Sequence, residues 1–349
     1  MHDQQALALA DFIAHEAQAV GQTVRLDRLA GARLVLTGAS GLVGQWLLAS
    51  LPDAPGRRPE SVTVLTRSAP DPHFTLLAQR QGARILTGDI ADADFRKRLP
   101  EADAMIHAAG YGQPGRFLAD PPSTLALNVC ATLDLFTHLA PGGRFLFMSS
   151  SEVYSGLPPG EHTEEKIGTT TPAHPRACYI EGKRAGEAVC HAWRAKGVKA
   201  FAARLALAYG PGVRLDDARV LNAFIVKGLA GRVNLADRGR AVRTYGYVAD
   251  AVEMLWRILL DGAQAVYNVG GTSRVTIAEL ALSVAGQMGV EAIFPEEDAG
   301  LTGAPGEVGL NLDRVRDEFG KTSFVPLETG LARTIGWMKA LKHATQERA

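Results

Sequence analysis

The chain has 349 residues, 46% of them hydrophobic, and its 37 basic and 37 acidic side chains leave no formal net charge. That composition allows a sizeable buried core and excludes a disordered chain, and the charge balance gives no sign of nucleic acid or an anionic membrane surface as a partner. The three cysteines, Cys130, Cys178 and Cys190, are odd in number and widely spaced, which argues against a disulfide framework or a metal site. No apolar run reaches the ~18 residues of a membrane span, and MHDQQALALADFIAHEAQ is not a basic-then-apolar leader. A cytoplasmic enzyme is expected.

In chain order, Leu9, Phe12, Ile13, Ala17 and Val20 recur at helical spacing, so residues 3–20 are expected to form an amphipathic helix within an N-terminal extension, 1–30. From Ala32 apolar strand runs alternate with helices: RLVLTG, SVTVLTR, ARILTGDI, DAMIHAAG, RFLFMSSS and KAFAARLAL as strands, GLVGQWLLASL, LNVCATLDLFTHL and RACYIEGKRAGEAVCHAWRAKG as helices. This pattern predicts an α/β fold with a Rossmann-like, doubly wound parallel sheet covered on both faces. The rhythm breaks after residue ~205. The expected organisation is a cofactor-binding domain of residues 31–205 plus about 246–270, and a smaller C-terminal α/β substrate domain of about 206–245 plus 271–345.

The segment TGASGLVG, Thr37–Gly44, stands between the first strand and the first helix of this series. Gly38 permits a tight turn, Gly41 lets the backbone approach a pyrophosphate, and Gly44 allows close packing of helix on strand, while the helix N-terminus favours the phosphates. Gly38, Ser40, Gly41, Leu42, Val43 and Gly44 are therefore expected to bind a dinucleotide. The second strand ends in Thr66-Arg67-Ser68, not in the acid that would hold an NAD ribose; Arg67 could instead pair with a 2′-phosphate, which favours NADP. After the third strand, Asp89 could bond the adenine amine with Ile90 beside it. After the fourth, Ala108 and Ala109 lie on the cofactor path, and His107 is expected to be a buried histidine satisfied by backbone.

The strand FLFMSSSEVYS ends in three hydroxyls and a carboxylate at its carboxyl end, where open α/β sheets bind ligands. Ser149, Ser150 and Ser151 are expected against the substrate, and Glu152 adds a base or an orienting carboxylate. In YIEGK, Tyr179 and Lys183 are four apart on one helix face. An ammonium and a nicotinamide cation favour the phenolate, so this pair can take a proton from a substrate hydroxyl. Cys178 is read as packing.

Together these pieces resemble the extended short-chain dehydrogenase/reductase family of nucleotide-sugar epimerases, dehydratases and decarboxylases, from about Ala32 to about Lys339. The motifs are most similar to those of the UDP-glucuronate decarboxylases: SEVYS after the fifth strand, CYIEGKRAGE, YGPGVRLDDARVLNAFI, and VRTYGYVAD. The resemblance implies Tyr179 as base with Lys183 as its partner on the nicotinamide ribose. It implies Ser150 as the contact to the reacting hydroxyl, Ser151 and Glu152 as the decarboxylase pair, and Arg243, with Arg219, at the substrate's carboxylate or diphosphate. Asp250 would be a structural anchor. It further implies bound NAD, a nucleotide-sugar substrate and a homodimer. Two positions depart from the family pattern: Leu207 replaces an asparagine before YGP, and GAPGEVGLNLDRV lacks the late arginine of an R-P-D-I-like segment. Decarboxylase, 4-epimerase, 4,6-dehydratase and NADPH-dependent 4-keto sugar reductase remain open at this point, as does a non-enzymatic NAD(P) sensor.

Overall fold

The computed structural model describes residues 2–296 and 309–346. Seven strands form one parallel sheet: β1 (Arg33–Thr37), β2 (Ser61–Thr66), β3 (Arg84–Thr87), β4 (Ala102–His107), β5 (Leu139–Ser150), β7 (Lys199–Leu205) and β11 (Val266–Val269). The short β6 (Glu161–His162) lies outside this sheet, as do β8 (Leu207–Tyr209), β9 (Arg232–Asn234) and β10 (Val242–Tyr247). The order β11-β7-β5-β4-β1-β2-β3 reverses beside β1, with all pairings parallel. This is the doubly wound Rossmann-like sheet expected from the strand runs. Val35, Leu36, Ile106, Phe145, Leu146 and Phe147 are buried on its two faces, as strands covered by helices on both sides require.

A smaller three-stranded sheet, with β10 between β8 and β12 (Ser273–Thr276), is built from segments that follow β7, the sixth strand of the main sheet. β10 runs parallel to β8 and antiparallel to β12, and Leu207 pairs with Tyr245. Asp250, at the start of the helix Val248–Asp261, is an anchor: its carboxylate accepts from Lys321 Nζ at 2.8 Å and from the Val325 N–H at 2.9 Å.

The N-terminal helix spans His2–Val24 and packs on the body, burying Leu9, Ala10, Ile13 and Ala17. Polar pairs fix it there: Tyr247 Oη donates to Glu16 at 2.6 Å, Arg333 pairs with Glu16, and Arg80 with Asp11. The helix expected across LNVCATLDLFTHL is broken into Pro121–Asn128 and Cys130–Leu135, followed by a 3-10 turn. Asn128 Nδ2 donates to the Thr124 carbonyl and Thr132 Oγ1 to the Asn128 carbonyl. Side chains that bond nearby main-chain carbonyls in this way bend helices, and the break falls between them.

Candidate active site

The turn after β1 is shaped as its glycines predict. Gly38 has φ +66°, and a Cβ there would come within 2.6 Å of the Ala108 carbonyl on the neighbouring strand's extension. A Cβ on Gly44 would strike the Gly38 carbonyl at 2.4 Å, so the helix Leu42–Ala49 sits as close to the turn as a bare backbone allows. At Gly41, among the described residues, such a group would meet the Gly38 carbonyl at 3.2 Å, which leaves that side open to a ligand. A cavity of about 250 Å³ runs from Gly38–Gly44 past Ala108 to Tyr179 and Lys183, with Arg116, Arg214 and Arg219 also on its wall. Glycine cradle, helix N-terminus and a cavity leading to the tyrosine fit a dinucleotide.

The Thr37 hydroxyl receives the Ala109 N–H at 3.0 Å and lies 2.7 Å from His107 Nδ1. The other ring nitrogen of His107 lies 3.2 Å from the Leu127 carbonyl, which can only accept. The network therefore assigns the proton to Nε2 and makes Nδ1 the acceptor. Burial drives His107 down to about 3, with the Lys183 charge adding to the effect, so the imidazole is neutral and structural, as expected.

Arg67 is exposed at the end of β2, its guanidinium 5.3 Å from the centre of the Tyr111 ring. Asp89 is exposed and its carboxylate accepts the Ala91 N–H at 2.9 Å, while the Ile90 side chain is buried in the core.

At the end of β5 the three serines divide. Ser149 lines the cavity, but its hydroxyl is engaged: it donates to Glu187 at 2.5 Å, within a buried network in which Arg204 pairs with Glu187 and donates to Tyr154 Oη. Successive strand residues face opposite ways, so the Ser149 and Ser150 side chains have different neighbours. The Ser150 hydroxyl lies near enough to Tyr179 to favour its phenolate, and its Oγ accepts the Glu152 N–H at 3.2 Å. Ser151 and Glu152 open a 3-10 turn, Ser151–Tyr154, whose Val153 carbonyl takes two bonds from Arg184.

Tyr179 and Lys183 lie on the helix Ala177–Arg194, both buried, with Lys183 Nζ 5.7 Å from the Tyr179 ring centre. Lys183 donates to the Met148 carbonyl at 2.7 Å. Burial lowers its ammonium to about 7, partly offset by Glu187. Burial first and the nearby Glu152 second push the Tyr179 phenol up to about 12, opposed by the Ser150 hydroxyl, Arg176 and Arg219. Without further positive charge the phenol is protonated at neutral pH.

Sequence reasoning missed two partners of this centre. Arg176 forms a half-buried ion pair with Glu152, and the Phe117 ring stacks on Tyr179. Burial raises the Glu152 carboxyl above its usual range, and Arg176 pulls the other way. Arg176 stands three residues before Tyr179, a helical spacing that could have flagged it; Phe117 has no local signal. Cys178 is packing, its thiol 3.5 Å from the Phe117 carbonyl and raised by burial. Arg219 chelates Asp217 at 2.5–3.0 Å. Arg243, on β10, bonds the Val242 carbonyl at 2.7 Å, and burial together with Arg176 lowers it. Of GAPGEVGLNLDRV, residues 303–308 lie outside the described residues.

Residues 34–270 match the model of the NAD dependent epimerase/dehydratase family. The chain belongs to that family. This epimerase/dehydratase chain is 32% identical over 251 residues to UDP-glucuronic acid decarboxylase 1 of Xenopus tropicalis, covering 70% of this chain and 58% of that protein. To the dTDP-glucose 4,6-dehydratase of Streptomyces niveus it is 26% identical over 318 residues, covering 88% and 93%. It therefore spans less than two thirds of the decarboxylase it matches. Among solved structures, the dTDP-glucose 4,6-dehydratase of Streptomyces venezuelae, with NAD bound, superposes with a TM-score of 0.74 at 25% identity, covering 89% of this chain and 98% of that one. As a family member the chain is an NAD-dependent enzyme of the group that holds nucleotide-sugar decarboxylases, epimerases and dehydratases. No described helix is long and apolar enough to cross a membrane.

Proposed function

We propose that this enzyme decarboxylates a nucleotide-linked uronate. The observation that carries the reading is Glu152, a carboxylate paired with Arg176 and placed beside the Tyr179 phenol, with Ser151 before it. The residues of the Gly38–Gly44 turn would hold NAD(P), with Ala108 and Ala109 along its path and Lys183 near the nicotinamide ribose. When bound, NAD(P) takes a hydride from sugar carbon 4 and later returns it.

Tyr179 takes the proton of the carbon-4 hydroxyl, with Ser150 holding that hydroxyl in line. Lys183, and the positive charge of an oxidised nicotinamide when bound, would offset the tight hold of Tyr179 on its own proton. With a ketone at carbon 4, the carboxylate on carbon 5 belongs to a β-keto acid. Its carbon–carbon bond breaks, the electron pair moves to the carbon-4 oxygen as an enolate, carbon dioxide leaves, and a proton then adds at carbon 5. Glu152 and Arg243 orient that carboxylate, and Arg219 attracts the diphosphate. Residues 31–205 with about 246–270 serve the cofactor, and about 206–245 with 271–345 serve the sugar nucleotide. A homodimer and a cytoplasmic setting complete the proposal.

Leu207 favours a second reading, because an apolar side chain on β8 removes a polar contact to the usual sugar nucleotide. Arg67 adds to it, since a 2′-phosphate partner would suit a NADPH-dependent 4-keto sugar reductase. Product analysis separates these. A pentose nucleotide formed from UDP-glucuronate supports the proposal. A 4-epimer, a 4-keto-6-deoxy sugar or net consumption of NADPH would replace it.

A further inference from the structure

Among the described residues Glu152 pairs ionically with Arg176, and that partner is itself enclosed. Arg176 sits at the amino end of the helix Ala177–Arg194, with its guanidinium on the Glu152 carboxylate and 5.4 Å from the centre of the Phe117 ring. Phe117 in turn stacks on Tyr179, ring centres 4.6 Å apart and planes 14° apart. The four side chains form one connected unit that links the carboxylate to the phenol. Arg176 Nε is buried and meets no acceptor among the described residues. A guanidinium that merely stapled the fold would have its buried donors engaged. Arg184, the next arginine along the helix, does staple: it bonds the Val153 carbonyl and Glu181.

We propose that Arg176 is a positioning residue that keeps the Glu152 carboxylate ionised and turned toward the reacting carbon, acting on the chemistry chiefly through Glu152. Burial raises the Glu152 carboxyl and the paired guanidinium opposes that rise, so Arg176 favours the charged form at the place where it holds the carboxylate. The same pairing offsets the repulsion between Glu152 and a carboxylate on the substrate. This inference rests on the role given to Glu152 above.

The test is a double-mutant cycle on the full chain with bound cofactor. R176M keeps the length and apolar contact with Phe117 but removes the charge. It should lower kcat about 10²-fold or more, with KM changed by less than about threefold, as E152Q should, since removal of an acid–base group costs that much. The double variant should be no worse than the poorer single variant by more than about threefold, because residues acting as a unit are non-additive. R176K, which restores the charge, should recover about tenfold or more of the R176M loss. On mixing with substrate, R176M should still reduce the bound nicotinamide, seen by absorbance, and then stall. Thermal melting checks that each variant is folded; if R176M is not, the R176K and E152Q pair carries the same comparison.

The proposal is overturned if R176M retains turnover within about threefold of the parent, if its loss lies in KM alone, or if the single losses multiply in the double variant. If the parent enzyme releases no carbon dioxide from any uronate, the decarboxylase reading fails separately. The same cycle is then run on whichever nucleotide sugar reduces the bound nicotinamide, and non-additivity still decides the role of Arg176.

Discussion

The Phe117 ring lies almost parallel to that of Tyr179, 4.6 Å away, and shields the phenol from water. This contact explains how a tyrosine at the mouth of a cofactor cavity comes to be buried, and why its proton is held so tightly until positive charge arrives. A base of this kind is silent in the empty protein and active in the loaded one. Tyr179→Phe keeps the stack and removes only the hydroxyl. It should reduce turnover by about 10²–10⁴-fold, the range of a lost acid–base group, while cofactor titration shows unchanged binding. Near-full activity would remove Tyr179 from the mechanism.

Cofactor choice turns on Arg67, exposed and resting against Tyr111 at the end of β2. If its guanidinium meets a 2′-phosphate, Arg67→Ala should weaken NADP at least about tenfold more than NAD, since a charge-assisted bond is worth ~1.5–3 kcal/mol. Titration of both cofactors measures the ratio. Equal, small losses would show that Arg67 serves only its ring contact.

The buried imidazole of His107 predicts a pH dependence of stability. Its pKa falls from 6.5 in the unfolded chain to about 3 in the folded one. The unfolded state then binds the extra proton first, so the contribution is fully present above ~6.5 and is lost as pH falls from there toward 3. His107→Gln should flatten the melting-temperature profile over that window relative to the parent. Parallel profiles would contradict the assignment.

Ser149, Glu187 and Arg204 predict a different failure. Glu187 and Arg204 are each nearly fully buried, so Glu187→Ala leaves the Arg204 charge without its carboxylate. Loss of one partner of such a pair costs ~3–5 kcal/mol. Denaturant unfolding should show that loss, and a change of less than ~1 kcal/mol would place the pair's energetic role elsewhere.

The parts of this protein legible in its sequence are those set by local spacing. Gly38 and Gly44 announce their turn because each removes a side chain that the turn cannot hold, and Gly41 keeps one side of it open to a ligand. Tyr179 and Lys183 are one helical turn apart, so their shared face follows without knowledge of the rest. The hydrophobic strand runs give the parallel sheet for the same reason. Arg176 and Phe117 were not legible as site residues, because their meaning comes from Glu152 and Tyr179, which the fold brings to them from other segments. The break at Val129 depends on two side chains bonding nearby carbonyls, a choice that hydrophobic periodicity does not record. The bond from Ser149 to Glu187 was not legible either, because Glu187 comes from a helix 38 residues further along the chain.

The central claim is that Glu152 and Tyr179 work together on a nucleotide uronate, and its most direct measurement is the release of carbon dioxide from carboxyl-labelled UDP-glucuronate or a related nucleotide uronate. The account predicts that the parent enzyme releases label with bound cofactor returning to its oxidised form each cycle. It also predicts that Glu152→Gln, which keeps the shape and loses the charge, still binds the substrate but releases about 10²-fold less label or lower. Turnover of a neutral hexose nucleotide with no label released from any uronate would contradict it.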